Sequence, residues 1–174
     1  MGRRAVLEVE RVVDLCLNAF PAQSVLDVGT GTGLFAEGFV ARGIEVVGID
    51  VNPAMIEAAQ RLVPQARFQQ APGEAIPYDD ETFDLAFLGL VLHEADDRLQ
   101  TLREARRAAR LGAAVLEWPF HQAEYGPPLS LRLSPDELVT LARNAGFSQI
   151  ETLSLSHLVL YRLAGVPSRK EGER

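Results

Sequence analysis

Val25-Leu26-Asp27-Val28-Gly29-Thr30-Gly31-Thr32-Gly33 is the stretch on which the fold turns. An apolar, β-branched run leads straight into three glycines at alternate positions, with an acid two residues before the first. Leu34-Phe35-Ala36-Glu37-Gly38-Phe39-Val40 then reads as a helix. Strand, glycine turn and helix make a corner suited to a nucleotide or cofactor. The turn needs tight backbone angles, and the ligand must come close to main chain; glycine permits both.

Working outward, strands and helices alternate. Apolar positions at Val6, Val9, Val12, Val13, Cys16 and Leu17 predict a helix over residues 4–19, ended by Pro21. Ser24–Val28 is the first strand, and the helix from Leu34 reaches Ala41 before Gly43. Glu45–Ile49 is the second strand, closed by Asp50. Asn52 caps a helix that starts at Pro53 and runs to about Leu62. Ala66–Gln69 and Phe83–Leu88 are strands three and four, and Arg98–Ala109 is a helix with an arginine-rich face. Gly112 punctuates before strand five, Ala113–Glu117. Ser134-Pro135-Asp136-Glu137 opens a helix that ends at Gly146. Gln149–Leu155 and His157–Leu163 follow one another without a helix, so they are expected to pair antiparallel.

This order predicts an α/β fold: a Rossmann-like, doubly wound, seven-stranded sheet, mostly parallel with an antiparallel last strand and helices on both faces. Residues 1–165 are read as one domain with an N-terminal helix, and 166–174 as a polar tail. In such sheets ligands lie beyond the carboxyl ends of the central strands, where the chain order reverses. The glycine turn sits at such an end.

Composition narrows the function classes. The chain has 174 residues, 47% of them hydrophobic, and a net charge of −7. That balance argues against a broad phosphate-binding surface and so against nucleic acid as a general partner. The single cysteine, Cys16, cannot form an internal disulfide and reads as a packed thiol. No run approaches the roughly 18 apolar residues of a membrane span, and no signal-peptide pattern is evident; a cytoplasmic location is expected. His93, His121 and His157 are too scattered for a metal motif, and no metal is expected.

Two further segments join the glycine turn. Val46-Val47-Gly48-Ile49-Asp50 ends in an acid about 20 residues beyond the first glycine, where a carboxylate can accept bonds from both hydroxyls of a ribose; the alternative is a cap on the next helix. Gly73-Glu74-Ala75-Ile76-Pro77-Tyr78-Asp79-Asp80 is an acidic loop with a proline turn before strand four.

Together these three segments resemble the class I S-adenosylmethionine-dependent methyltransferases, in particular their small single-domain branch. The resemblance covers roughly residues 20–165, and the phrase Asn144-Ala145-Gly146-Phe147 fits it too. It implies S-adenosylmethionine as cofactor and S-adenosylhomocysteine as product. The main chain of Gly29, Thr30 and Gly31 would face the methionine part, and Asp27 would orient its amino group. Asp50 would hold the ribose, Val51 and Met55 would pack on adenine, and Gly73 would meet the adenine edge. The family often has an acid where this chain has Pro72; Glu74 is the nearest substitute. Leu88-Gly89-Leu90-Val91-Leu92-His93 corresponds to the run that passes between cofactor and substrate, which brings Leu90 to the cofactor.

Methyl transfer from a sulfonium is an in-line displacement, so the protein mainly supplies alignment, and a base is needed only if the nucleophile must lose a proton. His93 is the candidate base or substrate contact, against the alternative of a structural histidine at the strand-four turn. Glu94, Glu117, His121 and Tyr125 are weaker candidates. Tyr125-Gly126-Pro127-Pro128 reads as a lid or a rigid connection, and Arg103, Arg106, Arg107 and Arg110 as a solvated face. The expected acceptor is a small molecule, and monomer and homodimer both stay open. Two other readings are a non-catalytic binding or interaction module and a nicotinamide-dependent oxidoreductase. The latter's G-x-G-x-x-G spacing would place its third glycine at Leu34.

Overall fold

The computed structural model describes residues 2–165. Seven strands form one sheet in the order β3-β2-β1-β4-β5-β7-β6. The strands are β1 Ser24–Val28, β2 Glu45–Asp50, β3 Arg67–Gln70, β4 Phe83–Gly89, β5 Ala109–Glu117, β6 Gln149–Ser154 and β7 Val159–Ala164. Pairings from β3 through to β5 are parallel. β7 lies antiparallel between β5 and β6, as the two uninterrupted strands at the end of the sequence require. The chain order reverses between β1 and β4, so the carboxyl ends of these two strands frame the expected crevice.

Alternation along the strands divides the core into two layers. Val25, Leu85, Phe87, Ala114 and Leu116 face α2 (Val9–Ala19) and α3 (Leu34–Val40), meeting Val12, Val13, Cys16, Phe35 and Phe39. Leu26, Val28, Ala86, Leu88, Ala113 and Val115 face the other way, onto Leu102 and Ala105 of α5 (Arg98–Ala108) and Leu138 and Ala142 of α6 (Pro135–Asn144). α4 (Pro53–Leu62) packs beside β2 and β3. The helix starts follow local chemistry. Asn52 Oδ1 accepts the Ala54 N–H, Asp97 Oδ1 that of Gln100, and Ser134 Oγ that of Glu137.

Three sequence expectations are revised. The helix over 4–19 is two helices, α1 Arg3–Val6 and α2, broken at Glu8, whose backbone is left-handed with φ 48°. Val6 and Val9 lie on the core stripe, but Leu7 does not. The break turns Leu7 inward all the same, and it is 4% exposed. Gly112 does not interrupt β5, which begins directly at Ala109. A Cβ at Gly112 would stand 2.3 Å from the Leu163 carbonyl oxygen and 2.7 Å from the Phe20 ring, so glycine is there for close approach. The arginine face of α5 is also more than solvated surface. The half-buried Arg107 donates to the Ile76 and Tyr78 carbonyls and pairs with Glu104 and Asp80, clamping the acidic loop to α5. The tail expected over 166–174 lies outside the described residues.

Replacing Gly112 by alanine forces a methyl group against the β7 backbone, which no rotamer change relieves. We expect a loss of about 1–3 kcal/mol, the usual range for overpacking, read as a lower urea midpoint at unchanged slope.

Candidate active site

The turn after β1 holds Gly29, Gly31 and Gly33 at φ 67°, 56° and 84°, all left-handed. At Gly29 a Cβ would lie 2.3 Å from Val91 Cγ2, so this glycine lets the turn pack against the segment after β4. At Gly31 a Cβ would meet nothing within 4 Å. The space above that position is open, and its backbone stays accessible to a ligand.

The turn is stitched to β2. Thr30 N–H donates to the Ile49 carbonyl at 2.9 Å, and Gly31 N–H to Asp50 Oδ2 at 2.9 Å. Asp50 Oδ1 accepts the Asn52 N–H at 2.9 Å. Asn52, not Asp50, caps α4. Each oxygen of Asp50 keeps lone-pair capacity for a further donor. Asp27, 2% exposed, accepts the Thr30 hydroxyl at 2.7 Å. Burial pushes its carboxyl up to about 7, opposed by the Thr30 bond and reinforced by the charge of Asp50.

These groups line a cavity of about 480 Å³ at the carboxyl ends of β1, β2 and β4, within the usual range for small-molecule sites. Asp27, Gly29, Thr30, Gly31, Asp50, Val51, Met55, Gly73, Glu74 and Leu90 all border it. Pro72 does not, while Glu74 does, with its Oε1 3.4 Å from the Asp97 N–H. Leu90 is a non-glycine residue at φ 59°, held by its N–H to the Leu116 carbonyl at 2.8 Å. Such strained backbone is characteristic of functional sites.

His93 stands behind this wall and does not line it. It is 9% exposed and pairs with Glu117, which is 1% exposed. Glu117 Oε1 accepts the His93 N–H at 3.0 Å, and Oε2 lies 2.9 Å from Nδ1. His93 Nε2 faces Glu94 Oε1 at 3.6 Å, and Glu94 does border the cavity. Burial alone would lower the imidazole pKa, but the bond and charge of Glu117, with Glu94, outweigh it and raise it. His121 and Tyr125 belong to a second hollow of about 270 Å³ that also includes Trp118 and His157. Among the described residues no group of three or more His, Cys, Asp or Glu is placed to hold a metal ion.

Sequence reasoning missed several contributors, four of which shape the site most directly. Arg3 and Leu7 reach the cavity from the N-terminal segment, and Phe35 borders it at the start of α3. Arg132, 4% exposed, donates to the carbonyls of Pro119, His121, Tyr125 and Pro127 at 2.7–2.9 Å. Its guanidinium also lies 5.8 Å from the Trp118 ring. The loop containing Tyr125-Gly126-Pro127-Pro128 is therefore fastened from within. A single arginine in a loop carries no periodic signal that would have marked it.

Comparison with known proteins agrees with this geometry. A family described as methyltransferase domain matches residues 26–116, more than half of the chain. The demethylmenaquinone methyltransferase of Renibacterium salmoninarum is 29% identical over 117 residues, covering 67% of this chain and 49% of that protein. The O-methyltransferase resE of Aspergillus sclerotiorum is 31% identical over 169 residues, covering 84% of this chain and 63% of that protein. The chain thus spans about half the length of the first of these relatives and under two thirds of the second. Among solved structures, a SAM-dependent methyltransferase from Aquifex aeolicus superposes with a TM-score of 0.84 at 24% identity, over 95% of this chain and 94% of that one, and so shares its fold. Glycine turn, strand-two acid, sheet order and sequence match converge: the chain belongs to the methyltransferase-domain family, as a class I S-adenosylmethionine-dependent member.

Proposed function

We propose that this chain transfers a methyl group from S-adenosylmethionine to a small organic acceptor at the carboxyl ends of β1 and β4. The observation that carries the reading is one cavity in which the open backbone of Gly31, the spare acceptor capacity of Asp50 and the buried carboxylate of Asp27 converge. These residues fit the cofactor. Asp50 can accept from the ribose hydroxyls, and Asp27 can face the ammonium. Exposed Val51 and half-buried Met55 offer an apolar, polarisable surface to adenine, with Gly73 and Glu74 at its edge. The names of the relatives above support a small acceptor.

Bound S-adenosylmethionine supplies an electrophilic methyl group on a sulfonium. The protein's part is alignment and exclusion of water. Leu90, fixed by its bond to Leu116, borders the cavity and would stand between donor and acceptor. For an acceptor that must lose a proton, His93 works through Glu94. With the Nδ1 proton donated to Glu117, Nε2 carries the lone pair, and Glu94 stands between that nitrogen and the cavity. An acceptor proton taken by the Glu94 carboxylate then passes to Nε2.

The direct test incubates the purified chain with methyl-labelled S-adenosylmethionine and a panel of phenols, quinols, carboxylic acids and amines, scoring methylated product by mass spectrometry. We expect turnover with at least one class. Labelling of a macromolecular fraction with no methylated small molecule would overturn the reading. In a substrate with an ionisable hydroxyl, His93→Ala should lower kcat with KM nearly unchanged, and equal loss on an acceptor without such a proton would refute the relay.

Asp27 gives a pH dependence. In the free protein it holds a proton between its usual value near 3.8 and about 7 that the unfolded chain has already lost. Stability from this group is therefore present at low pH and lost as pH rises through about 7. An ammonium-bearing ligand favours the anion, so affinity for S-adenosylhomocysteine should rise between about pH 6 and 8, with proton release. Asp27→Asn should flatten that slope in calorimetry; an unchanged slope would count against the assignment.

A further inference from the structure

The second hollow, of about 270 Å³, lies at the carboxyl end of β5, between the segment that follows Glu117 and the turn joining β6 to β7. It shares no lining residue with the larger cavity, and its walls differ in kind. The larger cavity carries five carboxylates, on Asp27, Asp50, Glu74, Glu94 and Asp96. The hollow is lined by no acid, lysine or arginine, while Trp118, His121, Tyr125 and His157 bring four aromatic rings to it. Walls of this composition favour a flat, uncharged ring system over a charged ligand. We propose that the hollow is a second binding site, for a planar aromatic molecule that carries a hydroxyl group. Its own walls carry this assignment, independently of methyl transfer.

Both walls are held in place by bonds within the protein. On one side Arg132 gathers the Pro119, His121, Tyr125 and Pro127 carbonyls, which fixes the segment bearing three of the four rings. Gly126, at φ 90°, packs on the indole of Trp118; a Cβ there would stand 2.5 Å from Cδ2. On the other side the Leu155 N–H donates to the Leu158 carbonyl at 2.8 Å, and the Ser156 N–H to Glu8 Oε2 at 2.8 Å. Tyr125 and His157 join the two sides edge to face, with ring centroids 5.6 Å apart. A site shaped in advance spends little binding energy on ordering its walls. The hydroxyl requirement comes from His121. Its Nδ1 lies 3.1 Å from the Gln122 carbonyl oxygen. A carbonyl only accepts, so Nδ1 holds the proton of the neutral ring and Nε2 keeps a lone pair for a ligand's O–H.

Trp118 is the one tryptophan of the chain, so its indole N–H gives a single resonance that reports on the hollow. The test titrates the full chain at about pH 8, where an ordinary imidazole is neutral, with 2-naphthol and with quinoline. Both have two fused rings, and only naphthol has a hydroxyl to donate. Dissociation constants come from calorimetry on wild type, His121→Ala and Tyr125→Ala, with thermal unfolding run alongside; Tyr125 and His121 are exposed, so neither change should move the melting temperature. We expect a saturable shift of the indole resonance with naphthol. His121→Ala should weaken naphthol about fivefold, the effect of one neutral hydrogen bond, and leave quinoline unchanged. Tyr125→Ala should weaken both ligands by a similar factor, through loss of a ring contact. No saturable shift of the indole resonance would overturn the proposal. So would naphthol binding that Tyr125→Ala leaves unchanged, because the ligand would then sit elsewhere, and equal weakening of both ligands by His121→Ala, because the imidazole would then act only through the shape of the loop.

Discussion

The carboxylate of Asp50 joins the parts on which the site depends. One oxygen takes the Gly31 N–H and the other the Asn52 N–H, so a single side chain fixes the glycine turn after β1 to the start of α4. The bond from Thr30 to Ile49 closes the same seam through the backbone. A turn with three left-handed glycines has high conformational entropy in the unfolded chain. Pinning it to the neighbouring strand end restricts it without using up its capacity to bind. The same carboxylate is then offered to a ligand already oriented, which reduces the ordering cost of binding.

Buried charge does comparable work elsewhere, under a stricter condition. Glu117 sits at the end of β5 with both oxygens engaged by His93, and Arg132 donates to four loop carbonyls. Buried ionic groups of this kind are poor sources of net stability, because desolvation offsets much of the Coulombic gain. Their contribution here is geometric. Glu117 sets the path of the segment after β4, from which Val91 meets Gly29 and Leu90 meets the cavity. Arg132 shapes the loop that carries Tyr125 and backs Trp118, beside a second hollow.

The readable parts of the sequence were those whose physics is local. Asn52 and Ser134 cap helices through bonds to residues two or three positions on, and the following prolines mark the first helical position. The alternation of strands and helices gave the mostly parallel sheet, and two consecutive strands without a helix gave its antiparallel end. The readings that needed revision involve partners distant in sequence. Arg107 looked like one of four arginines on a solvated helix, but its carbonyl partners Tyr78 and Ile76 lie 29 and 31 residues away. Gly112 looked like a break because nothing local shows that Leu163 and Phe20 press against it.

The sequence by itself determined the fold class, the glycine turn and the acids Asp27 and Asp50 beside it, because alternation, turn chemistry and spacing act along the chain. It also supplied ten of the residues that border the cavity. Only the tertiary structure decided that His93 is held behind the wall by Glu117, that Asp27 is buried enough to keep its proton near neutrality, and that Arg3 reaches the cavity at all. Each of these depends on burial or on the approach of distant segments. Desolvation and long-range contact have no periodic trace in an amino-acid sequence.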